Sequence, residues 1–273
     1  MGKLVWLASY PKSGNTWVRA FLHNYIANAQ TPHSINNLID FSVSECATAF
    51  FGTAGEIISP QAAQALRPQV HHQLTTLHDD LVFVKTHNAN LTFHNVPLCT
   101  PEVTAGAIYI IRDPRDVALS YAAFTGKSVD EIISLMAHEG AANASDGVQV
   151  FELLSSWSRH VLSWVNAPQR LLVRYEDLLA APERSFARII RYLGAAAQVP
   201  DPERLQRAIN FSNFATLSEQ EAQDGYRAGS KVGDKFFRNG KAGQWREQLS
   251  QVQAAAIWAA HHDIMKKFGY KDT

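Results

Sequence analysis

Hydrophobic positions along this 273-residue chain fall into two kinds of pattern. Four short apolar runs, Leu4–Ser9, Leu81–Lys85, Ala107–Arg112 and Arg170–Tyr175, are each bounded by polar or turn-forming residues, as buried strands of parallel sheets are. Between and after them, Asn15–Asn28, Asp116–Phe124, Val148–Val165, Glu183–Leu193 and Gln248–Phe268 carry apolar residues at three- and four-residue spacing. That spacing predicts amphipathic helices. Strands alternating with helices imply βαβ units, hence an α/β fold with a central parallel β-sheet flanked by helices. Two stretches fit poorly. Thr31–Gln73 is mixed and partly polar, and Leu217–Gly243 is rich in Gly and charge; both are expected as excursions over the top of the sheet. With no internal repeat or low-complexity linker, residues 1–273 read as a single domain.

Composition narrows the function classes. At 46% hydrophobic the chain can bury a large core, and 25 basic residues balance 25 acidic ones. A general polyanion binder would show a basic excess, so no nucleic-acid partner is expected and any anion site must be local. Cys46 and Cys99 lack CxxC or zinc spacing and read as reduced thiols. Leu4–Ala8 is too short for a signal-peptide core, and Trp6 stands where a myristoylation pattern needs Ser or Thr. No apolar stretch has membrane-spanning length. The expectation is a cytoplasmic protein without membrane insertion.

The first strand ends in Tyr10-Pro11-Lys12-Ser13-Gly14-Asn15-Thr16-Trp17, where a helix begins. Such a turn leaves backbone N–H groups free at the helix start. Lys12 adds a full charge, Ser13 and Thr16 add hydroxyls, and Gly14 permits close backbone approach. The same residues would also suit an ordinary helix with Ser13 as N-cap. The Walker A pattern is not met, because Lys12 precedes the glycine. A shorter loop of this kind suits one phosphate plus one further anionic group. The octapeptide resembles the 5′-phosphosulfate-binding loop of the sulfotransferases that use 3′-phosphoadenosine-5′-phosphosulfate (PAPS), a P-loop-like nucleotide-binding fold.

Three further segments resemble the same family in the same order. Tyr109-Ile-Ile-Arg112-Asp-Pro-Arg-Asp-Val-Ala-Leu-Ser120 is similar to its 3′-phosphate-binding strand and helix, which implies Arg112 and Ser120 as ligands of that phosphate. A plain surface cluster with Asp113, Arg115 and Asp116 is the alternative for Arg112. Phe236-Phe237-Arg238-Asn239-Gly240-Lys241-Ala242-Gly243-Gln244-Trp245 is similar to the family's RKGxxGxW loop and implies that Arg238 and the Gly240 backbone close over the same phosphate. Asn239 departs from the pattern, where the family has Lys. Leu172–Leu178 resembles a segment that brings Tyr175 near the adenosine, and Ser212 and Phe214 look like the adenine-contacting pair.

On the acceptor side, Val82–Lys85 ends in Lys85-Thr86-His87-Asn88. Functional residues of open α/β sheets gather at strand C-termini, and a neutral imidazole there can act as base. The match to the family's KTH points to His87, with an acid limb expected near its ordinary pKa, roughly 6–7. The expected reaction is in-line sulfuryl transfer: His87 takes the acceptor proton, Lys12 meets charge on the bridging oxygen, and Lys85 assists at the sulfuryl oxygens. The resemblance further implies that Ser120 positions Lys12 before the acceptor binds. No His/Cys/Asp cluster has metal spacing, so no metal is expected. Phe41, Phe50, Phe51, Phe124 and Tyr226 give the acceptor walls a partly apolar character. They do not separate phenol, aliphatic alcohol, sugar hydroxyl or amine. The oligomeric state stays open, a homodimer included. A P-loop kinase would need a differently placed lysine and a Mg²⁺ aspartate, and a mere binding module would need no base beside the donor.

Overall fold

A computed structural model describes residues 1–194, 200–227 and 235–272. In chain order, the first half contains β1 (Lys3–Ser9), α1 (Asn15–Ile26), α2 (Leu38–Phe41), β2 (Ser42–Ser44), α3 (Pro60–Leu74) and β3 (Leu81–Thr86). Then come the short strands β4 (Thr92–Phe93) and β5 (Val96–Pro97), followed by β6 (Thr104–Ile111), α4 (Pro114–Thr125), α5 (Val129–Ala137) and the short strands β7 (Ala142–Asn143) and β8 (Glu152–Leu153). The remainder is α6 (Trp157–Val165), β9 (Arg170–Arg174), α7 (Tyr175–Ala180), α8 (Pro182–Leu193), α9 (Pro202–Phe211), α10 (Phe214–Asp224), α11 (Trp245–Gln248) and α12 (Gln251–Lys267).

Five strands form one sheet in the order β2-β3-β1-β6-β9, every pairing parallel. This is the expected central parallel sheet flanked by helices. Because strand side chains alternate between faces, β1 serves two cores. Leu4, Trp6 and Ala8 join one cluster with helices α3 to α6 and α12, while Val5 and Leu7 join another with α1, α8 and α9. Trp6 is buried and its indole N–H donates to Thr104 Oγ1 at 2.9 Å. Register matters most for function. Ala8 pairs with Thr86 on one side and Tyr109 on the other, and Ile111 pairs with Arg174. The C-terminal ends of four strands therefore share one edge, and the loops leaving them begin side by side.

Four expectations need correction. Val148–Val165 is helical only from Trp157; before it, Glu152 pairs with Asn143 in a short antiparallel ladder. Ser155 adopts φ 59°, and Ser156 then caps α6 by accepting from Arg159 N. Apolar spacing continued through this turn, but the left-handed residue breaks the helix. Second, Thr31–Gln73 does not merely pass over the sheet. It contributes the edge strand β2 and the 15-residue α3, whose Ala63, Val70 and Leu74 enter the core. Third, strand β9 ends at Arg174, so Tyr175 begins α7. Fourth, Leu217–Gly243 starts within α10, which the spacing did not reveal; residues 228–234 of that stretch lie outside the described residues. Among the described residues no helix is long and apolar enough to cross a membrane. Cys46 and Cys99 are both buried and free.

Candidate active site

The loop after β1 is shaped by two left-handed residues, Lys12 at φ 65° and Gly14 at φ 104°. For lysine that conformation is unusual and costs about 1–2 kcal/mol, a strain typical of functional loops. Gly14 is required twice over, because a Cβ there would also lie 2.7 Å from Tyr175 Cδ2. Gly14 occupies the N-cap of α1, and no side chain caps the helix. Its partial positive charge stays available to an anion. The expected alternative, Ser13 as an ordinary cap, is therefore not what forms. Ser13 Oγ, Trp17 Nε1 and Arg112 Nε are buried and have no partner among the described residues. Asn15 is used internally, its Nδ2 donating to Leu7 O at 2.8 Å and Ser9 Oγ at 3.3 Å. Thr16 shares a hydrogen bond with the Tyr226 hydroxyl.

The Lys12 ammonium lies 3.6 Å from the Phe236 ring centroid and 4.4 Å from that of Phe124, a cation–π clamp. Burial lowers its pKa to about 7, helped by Arg112 and Arg238 and opposed by Glu221. Among the described residues no hydrogen bond joins Lys12 Nζ to Ser120, which sits half-buried in the second turn of α4. In this state the aromatic pair, rather than the serine, holds the lysine.

Arg112 leaves the end of β6 and braces two loops. Nη1 donates to Lys12 O at 3.0 Å and Nη2 to Lys241 O at 3.1 Å, while the guanidinium stacks 4.3 Å over Tyr175. Its neighbours are no surface cluster. Asp113 and Arg115 pair within the fold, Arg115 stacks on Trp245, and Asp116 accepts from Gly243 N at 2.6 Å and Trp245 N at 3.0 Å. These buried groups pin the 241–245 segment onto α4. Arg238 and Asn239 are exposed, and Asn239 Nδ2 donates to Gln244 Oε1 at 2.6 Å. Gly240 has φ 59°, and a Cβ there would meet the Phe214 ring at 2.3 Å.

Residues 3–269 match the family model of the sulfotransferase domain. The chain belongs to that family. It is an enzyme of the sulfotransferase class. Sulfotransferase 1B1 of Canis lupus familiaris is 26% identical over 254 residues, covering 90% of this chain and 78% of that protein. Cytosolic sulfotransferase 16 of Arabidopsis thaliana is 24% identical over 286 residues, covering 98% and 76%. The match to Sulfotransferase 2A6 of Rattus norvegicus, 26% identical over 171 residues, covers 60% of this chain and only 58% of that protein. Among solved structures, retinol dehydratase in complex with androsterone and the inactive cofactor PAP superposes with a TM-score of 0.61 at 20% identity, covering 96% of this chain and 80% of that one. Mouse sulfotransferase SULT7A1 complexed with PAP gives 0.58 at 18%, covering 99% and 86%. Both share the fold.

Within this sulfotransferase, Lys85 lies at the end of β3 and His87 directly follows the strand. His87 Nδ1 lies 2.8 Å from the carbonyl oxygen of Ser9. A carbonyl only accepts, so the proton sits on Nδ1 and Nε2 keeps its lone pair. The buried His160 donates from Nε2 to His87 O at 3.0 Å and accepts at Nδ1 from Tyr109 OH at 2.9 Å, steadying that backbone from below. Burial pushes the His87 pKa well down, and Lys85 adds to it; Glu152 and Ser9 oppose. An acid limb set by His87 would accordingly lie below the expected pH 6–7. Lys85 Nζ faces Glu152 Oε1 at 3.6 Å.

Ser212 spends its hydroxyl on its own helix, donating to Ala208 O at 2.8 Å, and is fully buried. Phe214 is half-buried and packs edge-on to Phe237 at 6.5 Å. Glu152, Asp116, Glu221 and His160 were missed by sequence reasoning. Glu221 accepts from Phe236 N at 2.6 Å and Phe237 N at 2.9 Å, holding the ring that covers Lys12. An acidic residue inside the apolar run Val150–Leu154 was the one sequence signal for Glu152. Among the described residues, Glu45, Cys46 and Glu152 bring ligand-type atoms within 4.8 Å of one another. Glu45 already binds Arg67, Thr86 and Asn88, and Glu152 faces Lys85, so cations of the chain balance both carboxylates.

Proposed function

We propose that this enzyme transfers the sulfuryl group of PAPS in line to a hydroxyl or amine of a small, partly apolar acceptor, giving a sulfate ester or sulfamate and adenosine 3′,5′-bisphosphate (PAP). The observation that carries the reading is the bond from His87 Nδ1 to Ser9 O. It ties a base with a free Nε2 lone pair to the last residue of β1, directly before the anion loop.

The residues fit the nucleotide. Unpartnered Ser13 Oγ, Trp17 Nε1 and Arg112 Nε surround the loop, and Gly14 and Gly240 let the Tyr175 and Phe214 rings pack directly against the loop backbones, where a Cβ would clash. PAPS supplies an activated sulfuryl group on a phosphate leaving group. Lys12, with the N–H groups of 13–16, meets the charge that grows on the bridging oxygen as the S–O bond breaks. A dianionic neighbour also restores the full charge of a lysine whose pKa is about 7 in the free protein. Arg112, Arg238, Asn239 and Ser120 hold the 3′-phosphate, the arginines by charge-assisted bonds. Tyr175, Phe214 and Ser212 border the adenosine, Ser212 through packing, since its hydroxyl is engaged. Lys85 faces the sulfuryl oxygens. His87 Nε2 accepts the acceptor's proton as the acceptor lone pair forms the new bond to sulfur. Phe124, Phe236 and Tyr226 supply apolar walls on that side. We also place the enzyme in the cytoplasm, supported by two free thiols and by the Arabidopsis relative being a cytosolic sulfotransferase.

The test is parallel incubation with labelled PAPS and with ATP–Mg²⁺ over a panel of phenols, alcohols, sugars and amines, read by mass spectrometry. A mass gain of one sulfuryl group on an acceptor is expected. Phosphorylated products from ATP would make the protein a kinase. PAP binding without transfer to any acceptor would make it a binding module.

A further inference from the structure

Beneath Lys85 and His87 lies a carboxylate that belongs to none of the motifs. Glu152, on β8, is 1% exposed. Its Oε1 faces Lys85 Nζ at 3.6 Å and accepts from the backbone N–H of His87 at 3.3 Å. Its Oε2 accepts from Asn143 Nδ2 at 3.0 Å, and Asn143 Oδ1 in turn accepts from Tyr121 OH at 3.0 Å. One carboxylate thus spans the site, from the strand end carrying Lys85 and His87 to the α4 residue next to Ser120.

Burying a carboxylate costs several kcal/mol unless its partners compensate. A neutral amide could have held Asn143 and the His87 backbone at lower cost. What it could not do is oppose charge, and the charge here is specific. Lys85 is cationic, and His87 becomes a second cation beside it when it takes a proton. The other titratable groups that face Glu152 do not substitute. Glu45 is committed to Arg67, while Cys46, His160 and Tyr121 are buried and held neutral, Cys46 and Tyr121 by raised and His160 by lowered pKa values.

Resting on the sulfotransferase reading, we propose that Glu152 is a positioning residue of sulfuryl transfer: it fixes Lys85 toward the donor's sulfuryl oxygens and provides the counter-charge for the imidazolium formed on His87. It touches neither substrate and acts through those two residues.

Glu152→Gln keeps the shape and removes the charge. With a high-pKa alcohol acceptor, kcat should fall by about 10- to 100-fold, within the range of a single electrostatic or acid–base contribution. PAP affinity should stay within about twofold, because the nucleotide loop is built elsewhere. An acceptor already ionised at neutral pH should lose less, since no imidazolium forms. The acid limb should move to lower pH, as the residual Glu152 field that raises the His87 pKa is gone. In a cycle with Lys85→Met, the double variant should be little worse than either single variant. Glu152→Asp, which restores the charge on a shorter arm, should recover part of kcat. It also serves if Glu152→Gln fails to fold. Wild-type kcat and an unmoved acid limb in Glu152→Gln, equal losses for both acceptor types, or additive behaviour with Lys85→Met would overturn the role. A wild-type enzyme inactive with PAPS would instead remove the sulfotransferase reading itself.

Discussion

Replacing His87 by Ala removes the imidazole that Ser9 O holds at the end of β1, just before the anion loop. In the native site, Nδ1–H is held by Ser9 O at 2.8 Å, so the ring cannot turn its protonated nitrogen toward the acceptor without losing that bond. General-base contributions run to about two to four powers of ten in rate, or roughly 2.7–5.4 kcal/mol of barrier at 1.36 kcal/mol per decade. The variant should lose that much turnover with an aliphatic alcohol and retain near-normal PAP affinity. A nitrophenol, ionised at neutral pH, should escape most of the loss. The pH dependence follows from the direction of the shift. The base acts when neutral, and burial together with Lys85 lowers its pKa. The neutral form therefore persists into mildly acid solution, and kcat/KM, which reports the free enzyme, should show no His87 limb at pH 6–7. Nitrogen-15 spectra of the imidazoles, with His87 assigned by its absence in the variant, should show the Nδ1–H tautomer persisting below about pH 6. A His87 signal titrating near 6.5, or equal losses for alcohol and nitrophenol, would refute the reasoning and leave a structural histidine.

Lys12→Ala should reduce transfer by roughly a hundredfold or more with an unchanged melting temperature, because the residue lies on a loop; near-normal turnover would cancel its role at the leaving oxygen. Since Lys12 has a pKa of about 7 in the free protein, wild-type binding of PAP at pH 8 should take up a fraction of a proton. Calorimetry in buffers of different ionisation enthalpy should show that uptake, and Lys12→Ala should abolish it. Arg112→Ala should weaken PAP by about 1.5–3 kcal/mol and more than Arg238→Ala does, because Arg112 also braces the Lys12 and Lys241 carbonyls; equal effects would mean that bracing is idle. Gly240→Ala, which drives a Cβ into Phe214, should lower PAP affinity while leaving circular dichroism unchanged, and unaltered calorimetry would show that the loop plays no part in binding.

Local chemistry made the parallel strands and the anion loop readable in the sequence. Apolar runs such as Leu4–Ser9 must be buried, and a lysine–glycine turn at a strand end has few uses other than holding an anion. Position at a strand terminus likewise exposed Arg112 and His87. Val148–Val165 was misjudged because helical spacing says nothing about Ser155, whose left-handed backbone is imposed by its surroundings. Strand β2 and helix α3 escaped because a three-residue edge strand carries almost no periodicity and a 15-residue helix of mixed polarity gains its stability from packing. The sequence alone thus determined the family and four of the sheet's five strands, and it supplied the candidate residues of the site. Only the tertiary structure decided their physical state. It set a half-buried His87 beside Lys85 and so lowered its pKa, put Lys12 between two phenylalanine rings, made Asp116 the anchor of the C-terminal loop, and slid Glu152 beneath the site. Each of these depends on contacts between residues far apart in the chain, and desolvation and charge pairing come into being only when those residues meet.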